Sequence, residues 1–455
     1  GDQQHPVSGR TNKQVPVGDF CGLGPPWIDH HQLPAPFLQG LCPVAEIGNR
    51  PDAPVRCHRV AAQDDHRFGA VNIGSFRISA MIMGETENGD LQVLGSGHRA
   101  SAGIKRGYVT DMTAAAHAIR DAVERAEKSA NTPVRSVWIA CAGAGLASHV
   151  VAVDIEIGGR RIEDEDVEQL LIQAQDMIQP DGRKVLHAQP AHYTLDGAHG
   201  VANPRGLHAE RLGVDIHVML ADGAPVRNLT EAVQNAHLEV EGVVAAPLAA
   251  GQACLTPEER ELGVALVEIG ADITNVAVFA GGMLLGLRAV PMGSADITDA
   301  IASSFGIRRS QAERLKCVAG SAIASPADHR ELIPVNGPGE GGGEGAPVGP
   351  LARGADDKNR ILRAELVAVV TQQLSVLTGE IGKALKSMGF AGSRAGQVVL
   401  TGGGAELAGM ADFMQGALGQ PVRLGRPPQL AGMPEAHHAP GFATLAGLCL
   451  YAAED

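Results

Sequence analysis

One pattern constrains this chain more than any other. A strand that runs straight into a glycine turn, followed by two more strands and a helix, occurs twice. In the first copy Phe68-Gly-Ala-Val-Asn-Ile-Gly is an apolar run ending in glycine. Ile78-Ser-Ala-Met-Ile-Met and Leu91-Gln-Val-Leu-Gly-Ser-Gly read as the next strands, with a hairpin signal at Glu87-Asn-Gly-Asp. Ala114 to Ser129 then carries Ala118, Ile119, Ala122, Val123 and Ala126 on one helical stripe, and Val137-Trp-Ile-Ala-Cys opens a further strand. In the second copy the strands are Gly263-Val-Ala-Leu-Val-Glu-Ile-Gly, Thr274-Asn-Val-Ala-Val-Phe-Ala and Met283-Leu-Leu-Gly-Leu-Arg-Ala-Val, and a helix opens at Asp296. A duplicated β-β-β-α unit predicts an α/β fold of two lobes facing across a cleft, with both glycine turns at its floor. A third turn, Gly402-Gly403-Gly404, follows the apolar strand Gln397-Val-Val-Leu-Thr and precedes a helix over 408–418. Consecutive glycines let backbone approach a ligand, and inward-facing N–H groups at strand ends suit phosphates.

Composition narrows the function classes. With 455 residues, 44% of them apolar, the chain has material for about two to four units. A net charge of −14 lacks the basic footprint of a nucleic-acid binder. Seven scattered cysteines without a C-x-x-C predict neither a disulfide framework nor a zinc site, and point to a reducing compartment. The apolar run from Gly242 to Pro257 is too short to span a bilayer, and no export signal opens the chain, so the expectation is a cytoplasmic protein. Residues 1–66 hold nine of the 27 prolines without apolar periodicity, and are read as a disordered or artefactual extension. The glycine-rich stretch from Asn336 to Pro350 is read as a flexible loop, and its nominal G-x-G-x-x-G is set aside because no strand precedes it.

The duplicated unit with three glycine turns resembles the actin-like ATPase superfamily, with its ribonuclease-H-like duplicated fold. Within it, residues 68–450 resemble the FtsA family of bacterial cell-division proteins, as in an alphaproteobacterial member. The resemblance is carried by Ala70-Val-Asn-Ile-Gly-Ser, Ser101-Ala-Gly-Ile-Lys-Arg-Gly-Tyr-Val-Thr-Asp-Met, Leu212-Gly-Val-Asp-Ile-His-Val, Leu238-Glu-Val-Glu-Gly-Val-Val-Ala-Ala-Pro-Leu-Ala, Gln311-Ala-Glu-Arg-Leu-Lys and Val399-Leu-Thr-Gly-Gly-Gly-Ala-Glu-Leu. It implies lobe 1 at 67–135 and 211–261, the family's inserted subdomain 1C at 136–210, lobe 2 at 262–316 and 361–455, and a subdomain 2B at 317–360.

The same resemblance implies ATP or ADP in the cleft. The first phosphate motif would be Asn72, Gly74, Ser75 and Arg77, and the second Glu268, Gly270, Asp272 and Thr274. Glu313, Lys316 and Gly402–Gly404 would lie on the adenosine side, and Gly293 would also bind the cofactor. Asn72 and Glu268 stand where the family has aspartates that hold the water shell of Mg²⁺, a geometry-demanding ion, so any metal contact is expected to be weak. Asp272 replaces a glycine, and a like charge about 4 Å from phosphate costs about 4 kcal/mol at an effective dielectric of 20. The expectation is weak nucleotide binding without significant turnover. As a family member the chain would polymerise head to tail, bind the tubulin-like division protein FtsZ, contact later septum proteins through 1C, and reach the inner membrane through an amphipathic tail absent after Leu450-Tyr-Ala-Ala-Glu-Asp. The alternatives are a pilus-assembly relative or an actin-superfamily ATPase or kinase.

Plainer readings compete at several positions. Asn72 suits an ordinary strand-end turn, and Glu313 and Lys316 suit an i,i+3 surface pair. His187, His192, His199 and His208 match no standard metal spacing and are read as loop residues. The run Glu163-Asp-Glu-Asp is read as the first turn of a helix, where negative charge suits the macrodipole.

Overall fold

The computed structural model describes residues 67–86, 90–143, 145–178, 182–201, 203–336, 360–390 and 396–454. The extension 1–66, most of the 87–90 hairpin turn and the glycine-rich stretch from 337 on lie outside the described residues. Lobe 1 begins with β1 (Phe68–Ile73), β2 (Arg77–Glu85) and β3 (Leu91–Ala100), a small hairpin of β4 (Ile104–Lys105) and β5 (Tyr108–Val109), α1 (Met112–Ala130) and β6 (Ser136–Cys141). An inserted unit follows: β7 (Ala147–Glu156), α2 (Asp164–Met177), β8 (Arg183–Leu195), β9 (Ala198–Val201) and β10 (Arg211–Asp222). The chain returns through α3 (Gly223–Asn235) and β11 (Glu239–Ala245), and crosses by α4 (Ala246–Cys254) and α5 (Pro257–Leu262). Lobe 2 comprises β12 (Val264–Ile269), β13 (Thr274–Ala280), β14 (Met283–Val290), α6 (Ser294–Phe305), α7 (Arg309–Ala319), β15 (Leu332–Pro334), β16 (Arg360–Leu362), α8 (Arg363–Ser387), β17 (Gln397–Thr401), α9 (Met410–Leu418) and β18 (Val422–Leu424). The last helix is α10 (Ala443–Glu454).

The duplication is explicit in the strand order. Lobe 1 runs β11-β6-β1-β2-β3, and the matching part of lobe 2 runs β18-β17-β12-β13-β14. In each, the first strand pairs antiparallel with the second and parallel with a later one. Both opening hairpins close in one register, Ile73 opposite Ile78 and Ile269 opposite Thr274. In each turn the glycine N–H donates to the carbonyl three residues on, Gly74 to Arg77 at 3.2 Å and Gly270 to Ile273 at 2.8 Å. The apolar stripe read on α1 is buried as expected, and Asp111 caps its N-terminus by accepting from the Ala114 N–H.

Two expected boundaries move. Ser136–Cys141 pairs parallel with β1 and β11, so this strand belongs to the lobe 1 sheet and not to the insert. Arg211–Asp222 pairs along its length with β7 and β8, so it is the central strand of the insert and not part of lobe 1. Both are largely buried strands, and pairing partners rather than local pattern decide where such strands sit. The insert therefore spans about 143–222, and the single pair Arg288–Ala147 joins its sheet to that of lobe 2, giving nine strands in all.

The third correction concerns the end of the chain. Residues 443–454, expected in lobe 2, pack with Phe68, Ala70, Met81 and Trp138 in the lobe 1 core. There α10 crosses α4, and a Cβ on Gly447 would overlap the Ala249 carbonyl. Backbone meets backbone at that point, so no rotamer change relieves an added side chain. We expect Gly447→Ala to cost about 3 kcal/mol in urea unfolding. In contrast Gly379→Ala, within α8 and with nothing within 4 Å of its added Cβ, should gain up to about 1 kcal/mol.

Candidate functional site

At both glycine turns most of the expected ligand residues are engaged by protein. Asn72 and Ser75 are half-buried at the first turn, and Phe76 beside them is 63% exposed. The Arg77 guanidinium lies 4.0 Å over the Phe442 ring and donates to the Gly441 carbonyl at 3.2 Å. Burial lowers its pKa, partly offset by the charge of Glu406. Glu406 also accepts from the Gly441 N–H at 2.9 Å, so the segment before α10 is clamped onto the first turn. At the second turn Asp272 does not project alone toward an incoming phosphate, because its Oδ2 accepts from the Arg106 N–H at 3.0 Å, across the cleft. Gly293 caps α6, and the N–H groups of Ser294 and Ala295 donate to the Gly270 and Ala271 carbonyls. These donors of the helix N-terminus are thus spent on the turn itself.

Glu268 departs furthest from the expected metal role. Its carboxylate is buried, accepting from Thr444 Oγ1 of α10 and from Asn275 Nδ2 at 2.9 Å. Burial raises its pKa, with the Thr444 and Asn275 hydrogen bonds opposing. Both oxygens are held by protein donors beneath the turn, where a buried carboxylate must be hydrogen-bonded. Thr274, expected on the phosphate side, is fully buried and donates to the Met292 carbonyl at 2.9 Å.

The adenosine-side pair is neither a free ligand set nor a surface pair. Lys316 is only 8% exposed, and its Nζ donates to Glu313 Oε2 at 2.8 Å, Ser294 O at 3.0 Å and Thr298 Oγ1 at 2.8 Å. Thr298 Oγ1 also lies 2.5 Å from Glu313 Oε2. Burial pushes the Glu313 pKa up, but the Lys316 and Thr298 hydrogen bonds outweigh it and hold the carboxyl below its usual range. The pair binds α7 to α6. Among the three consecutive glycines, a Cβ on Gly402 would lie 2.5 Å from the Ile269 carbonyl, and one on Gly404 would strike the Ile269 side chain. Only Gly403 faces open space. Two of the three are therefore required by packing of the turn on β12.

Sequence reasoning missed Arg106, Asn275, Glu406, Gly441, Phe442 and Thr444. A signal existed for two of them, since a carboxylate on a fully apolar strand needs buried donors nearby. The histidines expected in loops lie mostly on strands. His187 Nε2 accepts from the Ala245 N–H at 3.2 Å, which leaves Nδ1 to carry the proton toward the Tyr451 hydroxyl at 3.3 Å. Burial pushes His187 down to about 4 and His217, whose ring nitrogens lack partners, to about 3. No cluster of three or more potential metal ligands occurs among the described residues, and none of their helices is long and apolar enough to cross a membrane. The Glu163–Asp166 run opens α2, with Asp166 bound by Arg160. A small cavity of about 30 Å³ lies between insert, α4 and α10, lined by Gln189, Arg260, Phe279, Tyr451 and Glu454 among others.

Two measurements follow. Gly402 adopts φ +83°, so Gly402→Ala should lower the unfolding midpoint strongly while Gly403→Ala leaves it nearly unchanged. At the cavity, burial pushes Glu454 up to about 7 from an ordinary 4.5, against the opposing Gln252 hydrogen bond and Arg260 charge. A carboxyl with a raised folded pKa favours the fold when protonated, so its contribution declines as pH rises from about 4.5 to about 7. The decline is roughly 3 kcal/mol at most. Urea unfolding across that range should show a smaller fall for Glu454→Gln than for the wild type.

The family model described as cell division protein FtsA matches residues 265–447, and that of the SHS2 domain inserted in FtsA matches 143–220, in accord with the moved insert boundaries. The chain is 32% identical over 406 residues to the cell division protein FtsA of Agrobacterium fabrum, covering 87% of this chain and 89% of that protein. It is 28% identical over 398 residues to that of Escherichia coli, covering 87% and 92%. Among solved structures, a PilM–PilN type IV pilus biogenesis complex matches with a TM-score of 0.58 over 85% of this chain and 98% of that one. At 18% identity this likeness shows the shared actin-like fold alone. Kinship of this extent, with the inserted unit matched separately, shows that the chain belongs to the FtsA family and is a cell-division protein of the FtsA type.

Proposed function

We propose that the protein is an assembly adaptor of the division machinery. It polymerises head to tail through its actin-like lobes, a heterologous contact that builds open filaments. It binds the tubulin-like protein FtsZ near the smaller lobe, the part of lobe 2 expected as subdomain 2B at 317–360, and presents the insert to later septum proteins. Its place is the cytoplasmic face of the inner membrane, reached through a family-type amphipathic segment rather than by attraction of a −14 chain to anionic lipid. The observation that carries this reading is family kinship joined to a cleft whose phosphate and Mg²⁺ residues have been recruited into structure. Glu268 is bound by Thr444 and Asn275, and Asp272 by Arg106, so little remains to activate water or hold a metal. An adenine nucleotide would bind weakly, with Asn72, Ser75, Arg77 and Gly403 nearest it and with little dependence on Mg²⁺.

The adaptor reading is tested with an FtsZ tail peptide. Val318 and Leu332 are 73% and 52% exposed on the smaller lobe. Replacing both by Asp should abolish capture of the peptide by the full chain, with and without nucleotide. Unchanged capture would remove the smaller lobe from the partner site. Steady ATP turnover above about 1 s⁻¹ would make the protein an enzyme instead.

A further inference from the structure

We propose that the lobes are latched across the phosphate end of the cleft by the protein itself, with the Asp272 carboxylate seated where a nucleotide phosphate would otherwise accept the Arg106 N–H. The part of this inference that concerns phosphate rests on the nucleotide reading above, whereas the latch does not. Two contacts form it, and a third holds the other turn. Arg106 lies at the tip of the β4–β5 hairpin of lobe 1, and its N–H donates to Asp272 Oδ2 at 3.0 Å in the second turn of lobe 2. Beside it Gly143, at the end of β6, sits so close to Ile273 that a Cβ there would overlap the Ile273 side chain and lie 3.2 Å from the Arg106 carbonyl. On the other turn Arg77 is held to Gly441 and Phe442. Each glycine turn of the cleft is therefore tied by protein atoms to a segment outside its own hairpin.

The hairpin is built for this contact at some cost. Lys105 pairs with Tyr108, leaving Arg106 and Gly107 as a two-residue turn with φ +50° and +77°. That turn favours Asn-Gly, and an arginine in the left-handed region costs about 1–2 kcal/mol. The conformation points the Arg106 N–H out of the hairpin at the carboxylate, and a hydrogen bond to a charged acceptor is worth enough to offset the strain. Arg309 on α7 adds positive potential near Asp272, since the Asp272 charge contributes to raising the Arg309 pKa behind its Asp299 contacts. The device holds the lobes together without nucleotide, and a bound phosphate has to displace Asp272.

Amide hydrogen exchange on the full chain tests this. Without nucleotide, peptides covering 104–109 should exchange slowly in the wild type and roughly tenfold or more faster in Asp272→Gly, a loss on the order of one charge-assisted hydrogen bond. Arg106→Gly keeps the N–H, relieves the strained φ, and should preserve the slow exchange. Adding ATP should leave the wild-type hairpin unchanged and restore protection to Asp272→Gly. Equal exchange in wild type and Asp272→Gly without nucleotide would overturn the latch. Faster exchange in Asp272→Gly that ATP fails to reverse would keep the latch and overturn the claim that Asp272 stands in for phosphate.

Discussion

Glu268 ends the central strand of lobe 2 with its side chain in the interior, where Thr444 and Asn275 hold its two oxygens. Thr444 stands in the first turn of α10, a helix otherwise embedded in the lobe 1 core. One carboxylate thus fixes where the chain recrosses between lobes, immediately under the glycine turns. A buried carboxylate without such donors would cost several kcal/mol, so neither α10 nor β12 can shift without exposing that cost. The crossing of α10 over α4 at Gly447 and Ala249 sets the second constraint, because two helices that touch backbone to backbone define a single separation.

The cleft follows from these two constraints. The residues expected to meet phosphate are engaged within the protein. Glu268 reaches down to α10, Asp272 reaches across to Arg106, and Lys316 spends its three donors on Glu313, Ser294 and Thr298. Each change exchanges a possible ligand contact for an internal one.

The insert is coupled to this body by more than a linker. Its sheet meets that of lobe 2 at Arg288 and Ala147, and His187 on β8 bridges the Ala245 N–H at the start of α4 and the Tyr451 hydroxyl of α10. Burial keeps that imidazole neutral at physiological pH, so it serves as a fixed pair of hydrogen-bonding atoms.

By itself the sequence determined the repeated unit, because apolar strands, glycine turns and helical stripes are local patterns with local physical causes. It determined the family as well, since the matching strings lie along the whole folded region. What only the tertiary structure decided were contacts between residues far apart in the chain. Whether 136–141 and 211–222 joined the lobe or the insert depended on which strands they paired with, and an apolar run does not carry that information. Gly402 and Gly404 looked like a ligand cradle because the sequence shows missing side chains but not the Ile269 that fills the space. Asp272 reads as a charge at the cleft, and the sequence does not show that the N–H of Arg106, 166 positions earlier, donates to it. A charge is attractive or repulsive only with respect to its neighbours, and those neighbours are assembled by the fold.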